Sequence, residues 1–382
     1  MSNRAHKPAS HKPLSKVTPV LRVVAVMTLV GAAFMMAAAV FGGLSRMGVS
    51  LGATPSVLIH HHGPLMVSAF FGAVISMERA VAVRSAWSYL PPVAAVLGGL
   101  SLVALSDMRV GSILFAAAGF ALVGVFAHLL SRRYEPFTLA MALGAVAWAV
   151  GNLCWALGFP ISEVVPWWAG FLVLTIAGER LELSRFRAAT RSRWPFWAGF
   201  GIAAAGLAGS LFAFDIGVRI VGAGFLVLAA WLAKNDVGRS TIRMAGAPRF
   251  MAIALFAGYF WLAVAGLLAV VYGGVRAGLI YDAIWHAIFV GFVFSMVFAH
   301  AQVILPALSG VRVNHGVRFY VPLVVLHLAT ALRVAGDLGM AGNLGAFDGL
   351  RRAGGLGNAV AIALFILVLA SSVRRSSRPK GA

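Results

Sequence analysis

"LIYDAIWHAIFVGFVFSMVFAHAQVILP", Leu279 to Pro306, decides the fold class of this chain. Its 28 residues include one carboxylate, Asp282, and two histidines, and nearly all the rest are apolar. A surface helix of a soluble protein keeps one polar face, whereas this segment is apolar all round and longer than the roughly 20 residues that cross a bilayer's hydrocarbon. It reads as a transmembrane helix.

Runs of the same kind recur about twelve times, at 18–43, 56–83, 88–106, 110–131, 136–158, 164–181, 194–213, 216–234, 249–272, 279–306, 317–336 and 354–373. Of 382 residues 61% are hydrophobic and 11% charged, and the mean hydropathy is +0.91, which is more apolar than one soluble core can hide. The expected fold is therefore all-α: a polytopic membrane protein of about 12 transmembrane helices. A single transmembrane domain at 18–373 is expected between basic tails at 1–17 and 374–382. The opening MSNRAHKPASHKPLSK runs into a segment too long, and too directly continued into further spans, for a cleaved signal peptide.

The net charge of +20 raises the question of nucleic acid, but the Lys and Arg residues are spread through short loops and gather on no polar domain. The positive-inside rule explains them better. With the N-terminus inside, one side receives the first tail with His6 and His11, Arg79, Arg84, Arg132, Arg133, "RLELSRFRAATRSR", "KNDVGRSTIRMAGAPR", "VRVNHGVR" and "VRRSSRPK". The other receives only Arg46, Arg109, Arg219, Arg276, Arg351 and Arg352, with Arg333 near the end of its span. Both termini are thus expected in the cytoplasm, in a bacterial-type inner membrane, with the lipid bilayer as partner and no nucleic acid. His128 and His315 fall at or in cytoplasmic loops and read as solvated. A single cysteine, Cys154, excludes an intrachain disulfide and a thiolate iron–sulfur cluster. No Walker A loop, G-x-S-x-G or H-E-x-x-H is present, which argues against ATP-driven and hydrolytic functions.

Internal repetition adds an arrangement. "ISMERAVAVR" (Ile75–Arg84) and "IAGERLELSR" (Ile176–Arg185) both fit I-x-x-E-R-x-x-x-x-R, and "GAVISM" at 72–77 parallels "GFVFSM" at 291–296. These three segments lie four spans apart and run in the same direction, as expected of three four-helix units in a pseudo-threefold ring.

Few ionisable groups lie inside the spans, and these carry the functional reading. His60, His61 and His62 stand at the mouth of 56–83, and His286 lies about two turns inside 279–306 from the same face. Neutral imidazole is a good ligand for iron, copper or zinc. Two facing helices that each give one histidine, His62 or His60 on one side and His286 on the other, suit a six-coordinate heme. The triplet equally fits interfacial polar groups that cap the segment ahead of Pro64. His300 follows His286 by fourteen residues, roughly 21 Å deeper on nearly the same face, so one iron cannot take both. A second site, a proton path shared with Glu78, or an interhelical hydrogen bond are its open roles. His327 sits mid-span, and Arg333 six residues on suits a heme propionate or, alternatively, Asp337. Glu78/Arg79 and Glu179/Arg180 read as interfacial ion pairs, with proton uptake by the glutamates as the alternative. The four tryptophans 167, 168, 194 and 197 read as belt residues.

Twelve spans in three arcs, with histidines at the outer ends of the second and tenth, resemble the catalytic subunit of the heme–copper oxidases. The chain is more similar to the NnrS family of twelve-span heme- and copper-containing membrane proteins linked to the nitric oxide response. The matching pieces are the H-x-H of His60 and His62, "HAIFVGFVFSM" from His286, and the H-x5-R of His327 and Arg333. The resemblance implies heme b, with copper as a further cofactor, and as partners nitric oxide and a redox protein. It also has a gap. The spans 164–181 and 194–213 carry no histidine, so the copper ligands of an oxidase dinuclear centre are missing. What survives is a heme site serving electron transfer or nitric oxide binding. Two other classes stand beside it: a proton-coupled transporter using His300, Glu78 and Asp282, and a copper-binding membrane protein using the histidine triplet with Met66.

Overall fold

The computed structural model describes residues 19–49, 52–185, 192–309 and 311–374, with side chains at 307–309 and 374 left aside. The tails expected at 1–17 and 374–382, including His6 and His11, lie outside the described residues apart from the backbone of residue 374.

Eleven helices among the described residues are long and apolar enough to cross a membrane. In chain order they are α1 (Pro19–Arg46), α2 (Ser56–Val83), α3 (Ala86–Leu105), α4 (Met108–Arg132), α5 (Pro136–Ala156), α6 (Ile161–Ser184), α8 (Phe214–Asn235), α9 (Ala247–Tyr272), α10 (Leu279–Pro306), α11 (Val317–Ala341) and α12 (Gly345–Ser372). Between α6 and α8 lies α7 (Trp194–Ser210), which at 17 residues is shorter than its neighbours of 24 and 22 residues but no less apolar. The fold is that of an all-α, multi-pass membrane protein. A two-residue antiparallel pairing of Arg312–Val313 with Val373–Arg374 ties the segment before α11 to the end of α12.

Local chemistry sets the breaks. Asp107 caps α4 by accepting from the backbone N–H groups of Arg109 and Val110 at 2.9 and 3.0 Å. Pro136, Pro195 and Pro248 occupy first turns, where a missing N–H costs nothing. Arg84 and Asn343 adopt left-handed backbone at φ 60° and 63° to end α2 and α11.

Sequential helices pack as antiparallel neighbours, and α1 touches α12, so the chain closes on itself. Inside stand α2, α6 and α10, which meet pairwise. Phe71 on α2 packs edge-on to Phe294 on α10 at 5.4 Å, Arg79 on α2 reaches Glu179 on α6 at 3.1 Å, and α6 packs on the middle of α10. These are the segments that carry the repeated motifs. Most central is α6, 83% of whose hydrophobic window is buried, while α1 turns Val23, Met27, Val30 and Phe34 outward, as contact with lipid requires.

A buried polar knot locks α2 to α5 and α6. Ser68 donates to Asn152 Oδ1 at 3.0 Å, Trp168 donates to the same oxygen at 3.0 Å, and Trp148 donates to Ser68 at 3.2 Å. Each such interhelical bond in a membrane contributes about 0.6 kcal/mol. Trp168, and Trp167 beside it, are thus core residues and not belt residues.

Candidate functional site

A proline and two register changes shape the histidine end of the bundle. Pro64 supplies no N–H to the carbonyl four residues back, and His61 departs from helical geometry at φ −111°, ψ 17°. Immediately afterwards α2 widens into a π-helical stretch, Leu65–Phe71. The same widening follows His286 in α10, at Ala287–Phe294. A third, shorter stretch closes α3 at Ser101–Leu105. Such insertions re-aim side chains and recur at functional sites.

Between these two distorted helices lies a cavity of about 400 Å³. His60, His61, His62 and Met66 of α2 line it, as do Asp282 and His286 of α10 and Arg333 of α11, with mostly apolar walls from α1, α6 and α12 to which Arg46, Arg276 and Asn358 add polar groups. Its volume falls within the range of about 300–1,000 Å³ typical of small-molecule sites. Gly42 lets α1 approach, since a Cβ there would run into the Leu58 carbonyl; Gly43 beside it faces His62, whose Cδ2 a Cβ would meet at an ordinary 3.6 Å. His60 is exposed, whereas His61, His62 and His286 are partly buried. His61 also packs against Trp155, with ring centroids 6.2 Å apart.

All four rings share one hydrogen-bond pattern. Nδ1 lies 2.8 Å from the Ser56 carbonyl in His60, 3.0 Å from Val57 in His61, 3.1 Å from Ile59 in His62 and 2.8 Å from Asp282 in His286. A carbonyl oxygen only accepts, so Nδ1 carries the proton and the neutral ring keeps its Nε2 lone pair. His62 and His286 stand within electrostatic range of each other.

Among the described residues three donors on the cavity's wall have no hydrogen-bond partner: Trp285 Nε1, Arg333 Nε and Asn358 Nδ2. Their residues are all nine-tenths buried or more. Arg333 comes no nearer than 3.9 Å to Asp282 and 4.0 Å to Asp337, beyond hydrogen-bond reach. The expected pairing of Arg333 with Asp337 is therefore a loose one. Asp337 is held by Arg351 at 2.9 Å instead.

The remaining sequence candidates lie elsewhere. His327 takes an N–H from Trp261 on Nδ1 at 3.0 Å and faces Ser295 Oγ from Nε2 at 3.0 Å. An indole N–H only donates, so Nε2 carries the proton and donates to Ser295; both ring nitrogens are spent in binding α9, α10 and α11 together. His327 therefore does not reach the cavity as a ligand. His300 donates from Nδ1 to the Met296 carbonyl at 2.6 Å and leaves Nε2 buried without a partner, toward the opposite end of α10. At that end Arg79 Nη2 bridges Glu78 at 2.8 Å and Glu179 at 3.1 Å, which joins the two repeated E-R motifs across α2 and α6. His315 is not simply solvated: it is half-buried, stacks on Phe319 at 5.5 Å and donates to Gln302 Oε1 at 2.8 Å.

Sequence reasoning passed over Trp285, Asn358 and Arg351. The signal available for Asn358 was an amide inside an apolar run, and for Arg351 the aspartates at 337 and 348. Trp285 carried none that sets it apart from packing.

No curated protein and no solved structure matches the chain. Residues 22–374 match the family described as Domain of unknown function (DUF8744). Since that match spans nearly the whole transmembrane bundle, the chain belongs to the DUF8744 family.

Proposed function

We propose that the chain is a heme-binding membrane protein in which His62 and His286 would hold the iron of a heme b in the cavity. What supports this reading most directly is the shared ring geometry: on two helices that flank one cavity, Nδ1–H is tied to a backbone carbonyl and Nε2 is left uncommitted. Metal-binding histidines are oriented and made more basic in this way. Among the described residues no group of three or more His, Cys, Asp and Glu is placed to hold a metal ion. A porphyrin brings four ligands of its own and asks the protein for only one or two.

The donors on the wall fit the carboxylates of such a group. Arg333, loosely paired, suits a propionate, and Trp285 and Asn358 add neutral donors beside it. Bound heme supplies reversible one-electron chemistry whose potential its surroundings set. The protein's part is to fix two imidazoles, offset the carboxylate charge and keep water from the apolar walls. With the resemblance to the NnrS family, this favours electron transfer or nitric oxide response at an inner membrane, both termini cytoplasmic, with a redox partner. Heme measured against protein should be near stoichiometric in the wild type and fall to background in His286→Ala and His62→Ala; heme retained in both variants removes the assignment.

A second reading has its own support. His300 Nε2 and Arg180 Nε, both buried without a hydrogen-bond partner and within electrostatic range of each other, fit a proton path that includes Glu78. Proton-dependent uptake abolished by His300→Ala in pigment-free protein would favour a proton-coupled transporter.

A further inference from the structure

Four charges are packed at the cavity's edge, where Asp282 and Arg333 line it and Asp337 and Arg351 lie behind them. Asp282 of α10, Arg333 and Asp337 of α11 and Arg351 of α12 form a buried group of two acids and two bases, within which the formal charges cancel. The bonding inside it is uneven. Arg351 binds Asp337 at 2.9 Å, stands 3.7 Å from Asp282 and 3.8 Å from Asp348, and lines no part of the cavity. Arg333 does line the cavity and makes only the two long approaches of 3.9 and 4.0 Å.

We infer that Arg351 is the positioning residue of the site: it balances Asp282 and Asp337 so that Arg333 is left for a ligand carboxylate and His286 is shielded from an unpaired negative charge. The second half follows from connectivity. Asp282 is the residue whose carbonyl holds His286 Nδ1 at 2.8 Å, so its carboxylate sits one turn from the imidazole. If Arg333 turns to a ligand, Arg351 is the counter-charge left to Asp282. An uncompensated carboxylate in this low-dielectric setting stabilises the more positive, oxidised state of a bound iron and lowers its potential.

This inference rests on the heme reading, and the test separates the two. Wild type, Arg351→Gln, Arg351→Lys and the double variant Arg351→Gln/Asp282→Asn would be purified, and heme content and midpoint potential measured on each. Arg351→Gln should keep heme but show a lower potential, Arg351→Lys should recover most of the wild-type value, and the added Asp282→Asn should return the potential toward wild type. The same pair should be coupled in protein from heme-depleted cells: part of the thermal stability lost in Arg351→Gln should be regained in the double variant, the rest reflecting Asp337 without its 2.9 Å partner. An unchanged potential in pigmented Arg351→Gln, or no recovery in the double variant, overturns the inference alone. If Arg351→Gln fails to fold, Arg351→Lys and the double variant still decide it. A wild type purified without pigment from heme-replete cells overturns the heme reading, and this inference with it.

Discussion

His62 and His286 present the same ring to one cavity: each ties Nδ1 to a carbonyl of its own helix, at 3.1 Å from Ile59 and 2.8 Å from Asp282, and each precedes a π-helical stretch. Two helices eight spans apart in the chain therefore converge on one chemistry through the same local distortion. The ring pattern is common to the whole triplet, so exposure and packing, not hydrogen bonding, distinguish its members.

His60 is exposed and His61 lies against Trp155, whereas His62 is partly buried, faces α1 at Gly43 and lines the cavity with His286. His60→Ala and His61→Ala should retain heme, and His62→Ala should lose it. Heme content of the three variants side by side checks this, and loss confined to His60→Ala would move the ligand to the cavity mouth.

His327 has a different fate. With both nitrogens engaged, His327→Ala leaves the Trp261 N–H and the Ser295 hydroxyl unpaired, at a cost of about 1–3 kcal/mol. The unfolding temperature in detergent should drop while the heme-to-protein ratio holds. A variant of normal stability that has lost its heme would restore His327 as a cofactor residue.

Arg79 joins α2 to α6 through one nitrogen shared by Glu78 and Glu179. Arg79→Gln leaves two carboxylates facing each other without their common partner, and a loss of about 2 kcal/mol is expected. Neutralising Glu179 in the same chain, as Arg79→Gln/Glu179→Gln, should recover part of it, and strictly additive thermal shifts would show that the bridge contributes nothing.

The close crossing of α8 and α9 is set by two glycines. A Cβ on Gly222 would lie 2.7 Å from the Gly266 carbonyl oxygen, and one on Gly266 would lie 2.8 Å from that of Gly222. Gly222→Val should destabilise the bundle by about 1–3 kcal/mol through backbone separation. Unchanged thermal stability would mean that the two helices part without cost.

Much of this architecture was legible in the sequence because hydrocarbon leaves helices few choices of length. The segments 56–83 and 279–306 coincide with α2 and α10, and the repeated motifs mark the innermost helices. The last helix was read as starting at 354, yet α12 begins at Gly345. Asp348, Arg351 and Arg352 looked like loop charges, but their pairing with one another and with Asp337 makes them tolerable inside a helix. The gathering of His62, His286 and Arg333 on one cavity was readable from depth and direction, since each lies near the same end of its span. The orphan donors and the seat of His327 were not, because hydrogen-bond satisfaction depends on which helix lies opposite, and periodicity does not encode that.

The most direct measurement is an optical spectrum of the detergent-purified protein, oxidised and dithionite-reduced, with heme and copper quantified on the same sample. Near-stoichiometric heme with sharp reduced α and Soret bands, lost in His286→Ala, is the expected result. A colourless, heme-free preparation from heme-replete cells would contradict the assignment of His62 and His286 as iron ligands.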